Sequence, residues 1–200
     1  MSELRDYEQW HQAYDDPNSG LSWRLSVVQE YLRQALDRDS GPVRILSLCS
    51  GDARDVLEVL AERTDKDRAQ VTLVELNQAL AEAAQARATA AGLTSVQVRT
   101  TDAGNTDAYL DATPADIVLL VGIFGNISDT DLDATIAAAG QLCRPDDLND
   151  RVRSGFNATG FVEIDYRTGD FDELPALGAM RYNGPELALT PGRQLFSFIR

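Results

Sequence analysis

No apolar run in the 200-residue chain approaches the roughly 20 residues that a membrane-spanning helix needs. The opening Met1-Ser-Glu-Leu-Arg-Asp also lacks the basic-then-apolar pattern of a secretory signal, so a cytoplasmic protein is expected. Cysteine is scarce. Cys49 lies in an apolar strand and Cys143 at a helix end, and neither has a Cys or His at ligand spacing. A metal site is therefore not expected, and free thiols are the default. Basic residues are few: 18 Lys and Arg against 32 Asp and Glu give a formal charge of −14. That balance argues against nucleic acid and anionic membranes as partners, since phosphate backbones and acidic lipids call for a basic face. There is no internal repeat and no low-complexity segment. A G-x-G-x-x-G fingerprint is missing, since Cys49, Gly51 and Arg54 take its places. A G-x-S-x-G elbow is missing too, which removes the usual setting for a serine nucleophile.

What remains is an ordinary globular composition, 44% apolar and 25% charged, enough for one domain with a full core. The chain is organised around Arg44 to Leu60. Val43 to Leu48 is a short apolar run of branched residues, Cys49-Ser50-Gly51 is a small-residue corner, and Val56, Leu57, Val59 and Leu60 recur at helical spacing. This pattern reads as strand, tight turn, helix. Gly51 lets the backbone approach a ligand closely, and the N–H groups at the helix start can face its polar parts.

Ahead of this unit, Leu4, Tyr7, Trp10, His11 and Tyr14 mark one face of a helix over residues 4–16. A turn cluster, Asp15 to Gly20, precedes a second helix carrying Leu21, Leu25, Val28, Leu32 and Leu36. Residues 1–41 form a helical head placed to act as a lid on the core, residues 42–200. After the central unit come a strand at Gln70–Glu75, an alanine-rich helix from Gln78 to Ala91 stopped by Gly92, and a strand at Val96–Thr100. A short helix over Thr106–Asp111 precedes the most apolar strand, Asp116–Val121. Ser128 with Asp131 suits the start of a helix running to Leu142, and Pro145 opens another from Asp146 to about Ala158. Phe161–Tyr166 and Gln194–Ile199 read as closing strands, with the proline-containing stretch from Asp170 to Arg193 as loop. Strand–helix alternation predicts an α/β fold with a doubly wound, mostly parallel sheet between two helix layers. The last two strands predict an antiparallel pair at one edge.

In such sheets a ligand lies beyond the carboxyl ends of the strands, where strand order reverses. The strand ends here are Ser50-Gly51, Glu75, Asp102-Ala103 and Gly122-Ile123-Phe124. Glu75 can accept hydrogen bonds from both hydroxyls of a ribose. Asp102, beside the N–H of Ala103, can read an adenine edge. Together they predict a nucleoside-containing ligand.

At these residues the chain resembles the class I S-adenosylmethionine-dependent methyltransferases, over most of its length from Val43 onward. Ile45-Leu-Ser-Leu-Cys-Ser-Gly-Asp-Ala-Arg54 is similar to the first motif and Val74-Glu-Leu-Asn77 to the second. The head Trp10–Arg24 and the tail Pro191–Phe198 resemble an uncharacterised bacterial subgroup. The resemblance implies a Rossmann-like sheet of seven strands with the last antiparallel, and S-adenosylmethionine as cofactor. It implies that Ser50, Gly51, Glu75, Leu76, Asp102, Ala103, Gly122 and Ile123 hold that cofactor. Tyr14 and Arg24 would close over its methionine end, and Phe124 and Asn126 would line the acceptor side. Two departures stand out. Ser47 replaces the motif's acid, and of the three glycine positions, Cys49, Gly51 and Ala53, only the middle one is glycine. A strand is also expected after Leu142, where Cys143-Arg144-Pro145 leads directly into the next helix. Either that strand is deleted or a stretch between Cys143 and Arg144 is absent from this sequence.

Methyl transfer from a sulfonium needs alignment and exclusion of water more than covalent help. A base is needed only if the acceptor must lose a proton early. His11, the only histidine, is the one candidate. Two rivals stay open: a nicotinamide-dependent oxidoreductase, and a cofactor-binding domain without catalysis. The acidic charge favours a small-molecule acceptor, whose identity the sequence does not encode, and the oligomeric state is unreadable.

Overall fold

The computed structural model describes residues 10–142, 159–169 and 176–198. Its centre is β1 (Val43–Leu48), whose last four residues are buried. β1 pairs in parallel with β2 (Ala69–Glu75) on one side, in register from Val43↔Ala69 to Leu48↔Val74. On the other side it pairs with β4 (Ile117–Leu119), Ile45 opposite Ile117. β3 (Val96–Thr100) lies outside β2, so the strand order is β3-β2-β1-β4. The order reverses between β1 and β4.

Alternation along β1 divides the core. Ile45, with Val71 and Leu73 of β2, faces α1 (Gly20–Asp37), α2 (Arg54–Ala61) and α3 (Gln78–Ala90). Leu46 and Leu48, with Val74, face α4 (Asp129–Leu142), the enclosed Tyr109 and the tail residues Leu195 and Phe196. This is the doubly wound parallel sheet between helical layers that the alternating elements predict. The helix starts follow local chemistry. Ser19 accepts a hydrogen bond from the Ser22 N–H at 3.1 Å, Asn77 from Leu80 at 3.1 Å, and Ser128 from Asp131 at 3.1 Å. Gly92, at φ +64°, ends α3 in the left-handed turn that glycine adopts freely.

The seven-stranded sheet is not what the structure shows. The described residues hold four parallel strands and a separate antiparallel pair, β5 (Phe161–Thr168) with β6 (Ala176–Tyr182). β6 falls in the stretch expected to be loop. Ala176, Gly178 and Ala179 are weak strand formers, and pairing with β5 overrides them. The expected closing strand at Gln194–Ile199 is reduced to one bridge, Gln194 to Asn105. Leu195 and Phe196 are adjacent and both buried, which a strand facing solvent on one side cannot achieve. The strand expected at Asp116–Val121 is regular only over Ile117–Leu119, and the helix expected at Thr106–Asp111 is two 3-10 turns, Thr106–Ala108 and Leu110–Ala112. Of the first expected helix, the described part comprises helical residues Trp10 and His11 followed by a 3-10 turn, Gln12–Asp15. Leu4, Tyr7, Cys143, Ile199, the strand expected after Leu142 and the helix from Asp146 to Ala158 lie outside the described residues.

The hairpin docks on the helices. Phe161 and Tyr182 pack together, ring centroids 4.9 Å apart, and join Ala139 of α4 in a small core. Arg167 of β5 reaches Glu30 of α1 at 2.6 Å and stacks over Tyr31. Gly140 lets the Tyr182 ring lie flush on α4, since a β-carbon there would sit 2.8 Å from the ring. Gly140→Ala sets about 1 kcal/mol of helix propensity against about 1–3 kcal/mol of overpacking. A net loss of about 1 kcal/mol in urea unfolding is expected. A gain would show that the hairpin does not bear on α4.

Candidate functional site

All four parallel strands end on one side, and the predicted residues gather there. At the end of β1 the backbone takes left-handed conformations at three alternate residues: Cys49 (φ 54°), Gly51 (φ 57°) and Ala53 (φ 52°). Only glycine adopts this without steric cost, so Cys49 and Ala53 each carry strain of about 1–2 kcal/mol. Contacts from β2 hold the corner. The Ser50 N–H donates to the Val74 carbonyl at 3.1 Å, and the Gly51 N–H donates to Glu75 Oε2 at 2.8 Å. Glu75 Oε1 accepts from the Asn77 N–H at 2.8 Å. The second-strand acid and the glycine corner are thus one hydrogen-bonded unit.

Around it the other predicted residues take distinct places. Leu76 is 67% exposed, a large apolar side chain left facing outward next to Glu75. Asp102 is exposed at the end of β3, and Ala103 is buried behind it. Asp102 Oδ1 accepts from the Gly104 N–H at 2.7 Å. Gly122, at φ +76°, opens the end of β4, while the Ile123 side chain is fully enclosed in the core and leaves only its backbone for the site. Phe124 to Asn126 form a 3-10 turn, and the Asn126 amide closes it by donating to the Gly122 carbonyl at 2.7 Å.

The head folds onto this corner. The His11 imidazole lies so close over Gly51 that a β-carbon there would stand 2.5 Å from the ring. Trp10, His11 and Tyr14 meet edge to face, with centroids 5.4–6.3 Å apart. Arg24 lies over the Trp10 ring, donates to the Tyr14 hydroxyl at 3.3 Å, and reaches within 3.5 Å of the space beside Gly122. Arg54 stacks on the other aromatic, Tyr14. Beneath them Asp52 is buried and takes hydrogen bonds from Arg54 (2.6 Å) and from Arg87 of α3 (3.0 Å). Burial pushes the Asp52 carboxyl up, but Arg54, Arg87 and His11 together hold it below the usual range. Burial lowers His11 below the ordinary imidazole value, with Asp52 opposing and Arg54 and Arg24 adding to the shift. The ring is therefore neutral at pH 7. Burial, with Glu75 and Asp102 nearby, pushes the Cys49 thiol up, so it is no nucleophile.

Three polar atoms around the corner are buried with no hydrogen-bond partner among the described residues: Ser50 Oγ, His11 Nδ1 and Arg24 Nε. Buried polar atoms are normally satisfied, so such a cluster suits a polar ligand. Sequence reasoning missed Asp52, Arg54 and Arg87. Arg87 sits on α3, 35 residues from its carboxylate, and no spacing announces that pairing. Asp55, at the start of α2, was also missed. Burial pushes its carboxyl up to about 6, Asp52 adds to this, and the Val56 N–H opposes it. A raised value favours the folded state only while the group is protonated, and that contribution is lost as pH rises through about 6. Asp55→Asn should therefore stabilise the protein above pH 6 by on the order of 2–3 kcal/mol, the gain shrinking toward pH 4. Urea melts of both proteins across that range check it; a gain independent of pH would contradict the raised value.

The geometry can be set beside known proteins. The methyltransferase domain family matches residues 45–146, just over half of the chain. Magnesium protoporphyrin IX methyltransferase from Synechocystis PCC 6803, solved with bound SAM, superposes with a TM-score of 0.63 at 11% identity, covering 92% of this chain and 100% of that one. A SAM-dependent methyltransferase from Thiobacillus denitrificans, in complex with S-adenosyl-L-homocysteine, gives a TM-score of 0.54 at 16% identity, over 85% of this chain and 76% of that one. Against a SAM-dependent methyltransferase from Agrobacterium tumefaciens the TM-score is 0.37 at 21% identity, and the match spans 46% of this chain and 29% of that one. No curated protein matches. The family match covers the first-motif corner, the Glu75 strand end and the exits of β3 and β4, and the chain belongs to the class I S-adenosylmethionine-dependent methyltransferase family.

Proposed function

We propose that this protein transfers a methyl group from S-adenosylmethionine to a small-molecule acceptor. The observation that carries the reading is the Glu75–Gly51 hydrogen bond, which joins the carboxyl ends of β2 and β1. It sets a carboxylate suited to ribose against a corner where the backbone can meet a ligand. The unpartnered Ser50 Oγ and Arg24 Nε fit a polar ligand there. Glu75 would accept the ribose hydroxyls with the lone pairs that Gly51 and Asn77 leave free. Leu76 and Ala103 would enclose the base, with Asp102 accepting from its amino group. Ser50, Gly51 and the backbone of Gly122 and Ile123 would line the sugar and methionine portions. Arg24, steadied by Tyr14, would meet the methionine carboxylate. The cofactor supplies a methyl on a positively charged sulfur, a good leaving group.

What the chain adds is alignment. Phe124 and Asn126 border the acceptor side at the end of β4. The head, with Trp10, His11 and Tyr14 stacked over the corner, excludes water. His11 covers Gly51, so the ring must move aside as the ligand settles, and the head then acts as a lid. Neutral at pH 7, its imidazole can take the proton that the acceptor gives up as its bond to the methyl carbon forms and the carbon–sulfur bond breaks. The charge of −14 supports a small acceptor over RNA or DNA.

Calorimetry tests this. S-adenosylmethionine and S-adenosylhomocysteine should bind with micromolar Kd, and a nicotinamide dinucleotide should not. Glu75→Gln should weaken the sulfur nucleosides at least tenfold, about 1.4 kcal/mol. Labelled methyl groups should then appear in the low-molecular-weight fraction of a cell extract. Absence of sulfur-nucleoside binding overturns the cofactor, dinucleotide binding instead points to an oxidoreductase, and label in RNA or protein overturns the acceptor class.

A further inference from the structure

The tail returns to the site from the far end of the sequence. It is laid along the exit of β3 by a series of hydrogen bonds. Thr106 N–H donates to the Arg193 carbonyl at 2.9 Å, and Arg193 N–H donates to Thr106 Oγ1 at 2.9 Å. Thr106 Oγ1 donates to the Thr190 carbonyl at 2.8 Å, and Gly192 N–H donates to Asp107 Oδ1 at 2.7 Å. Leu195 N–H donates to the Gly104 carbonyl at 2.6 Å, and the Leu195 and Phe196 side chains are anchored in the core. Gln194 stands between these fixed points.

Its amide nitrogen has two N–H groups, and both are used. One meets Asp102 Oδ2 at 3.0 Å and the other the Phe196 carbonyl at 2.7 Å. Asp102 is thus held from two directions, Oδ1 by the Gly104 N–H and Oδ2 by Gln194. Gly104 makes the arrangement possible. A β-carbon there would lie 2.4 Å from the Gln194 nitrogen and 2.1 Å from the Phe196 carbonyl oxygen. Asp102 itself is exposed, and an exposed carboxylate at a strand end otherwise turns freely about its side-chain bonds. A carboxylate has about four lone-pair sites, and two remain here for a ligand donor.

We propose that Gln194 is a positioning residue for base recognition: by fixing the plane of Asp102 it makes the site select a 6-amino purine over a 6-oxo purine. This rests on the cofactor reading above, with Asp102 at the base. A held carboxylate accepts from an amino group and repels a carbonyl oxygen at the same place. A freely turning one can swing away from the oxygen and loses that discrimination.

The test compares Kd for S-adenosylhomocysteine and for its inosine counterpart in wild type, Gln194→Leu and Gln194→Glu. Gln194 is exposed, so both variants are expected to fold, and thermal melts check this. Wild type should prefer the adenine compound by about 100-fold or more, since a site that hydrogen-bonds a substrate group rejects an analogue lacking it. Both variants should bring the ratio below tenfold, with S-adenosylhomocysteine itself weakened about three- to tenfold. In an Asp102→Asn background, Gln194→Leu should change the ratio no further. Loss of stability alone would weaken both ligands equally and leave the ratio intact. Wild type that binds S-adenosylhomocysteine without discriminating, or a Gln194→Leu protein with the wild-type ratio, overturns the proposal and leaves the cofactor reading standing. Wild type that binds neither compound overturns both.

Discussion

One buried carboxylate governs the corner on which the site is built. Glu75 takes the N–H of Gly51 on one oxygen and the N–H of Asn77 on the other. The first bond ties the end of β1 to the end of β2, and the second sets the start of α3. Both N–H groups belong to turns that the sheet ladder cannot satisfy, and leaving them buried without an acceptor would cost about 1–3 kcal/mol each. Charge-assisted bonds to backbone N–H groups are stronger than neutral ones. They also fix the direction of the Gly51 peptide, and with it the face that the corner presents. The same residue is thus structural in the folded chain and polar enough to meet a ribose.

Charge distribution follows a second constraint. The chain carries an excess of 14 acids, yet three arginines stand together beside the site. Arg54 and Arg87 share the buried Asp52, Arg87 also meets Glu58, and Arg24 lies above on the aromatic rings. Removing one arginine would leave a buried carboxylate short of a partner, which costs far more than an exposed ion pair contributes. The network joins the corner, α2 and α3, so it also fixes the floor on which the head rests. His11 reports that environment: burial among arginines keeps it neutral, although Asp52 lies 4.0 Å away.

What the sequence made legible was local. The apolar runs at Val43–Leu48 and Gln70–Glu75, the caps at Asn77 and Ser128 and the stop at Gly92 carry their signals within a few residues. Strands β1 to β3 and helices α2 and α3 follow from them. The gathering of Gly51, Glu75 and Asp102 at one end of the sheet was legible for the same reason, since topology alone places successive strand ends together. Whatever depends on distant pairing was not. β6 exists because β5 is beside it, and its alanines and glycine conceal it. The tail gives up strand geometry because Leu195 and Phe196 both turn inward. Arg87 with Asp52 and Gln194 with Asp102 are separated by 35 and 92 residues, and neither pairing leaves a mark in spacing.

The corner also shows what a glycine motif encodes. Cys49 and Ala53 stand where the family has glycine, and a reading of residue types counts two losses. The backbone counts none, for both residues remain left-handed beside Gly51. Their conformation is imposed from outside: by the Ser50 bond to Val74, by Glu75, and by the Ala53 N–H donating to the Ser50 carbonyl at 2.9 Å. Three such bonds at about 1 kcal/mol each, with the burial of Ala53, are of the size needed to offset strain of about 1–2 kcal/mol at two residues. Gly51 is different, because its limit is space. With the head closed, the His11 ring occupies the volume a β-carbon would need. The one glycine retained is the one of the three that faces the His11 ring besides taking a left-handed backbone.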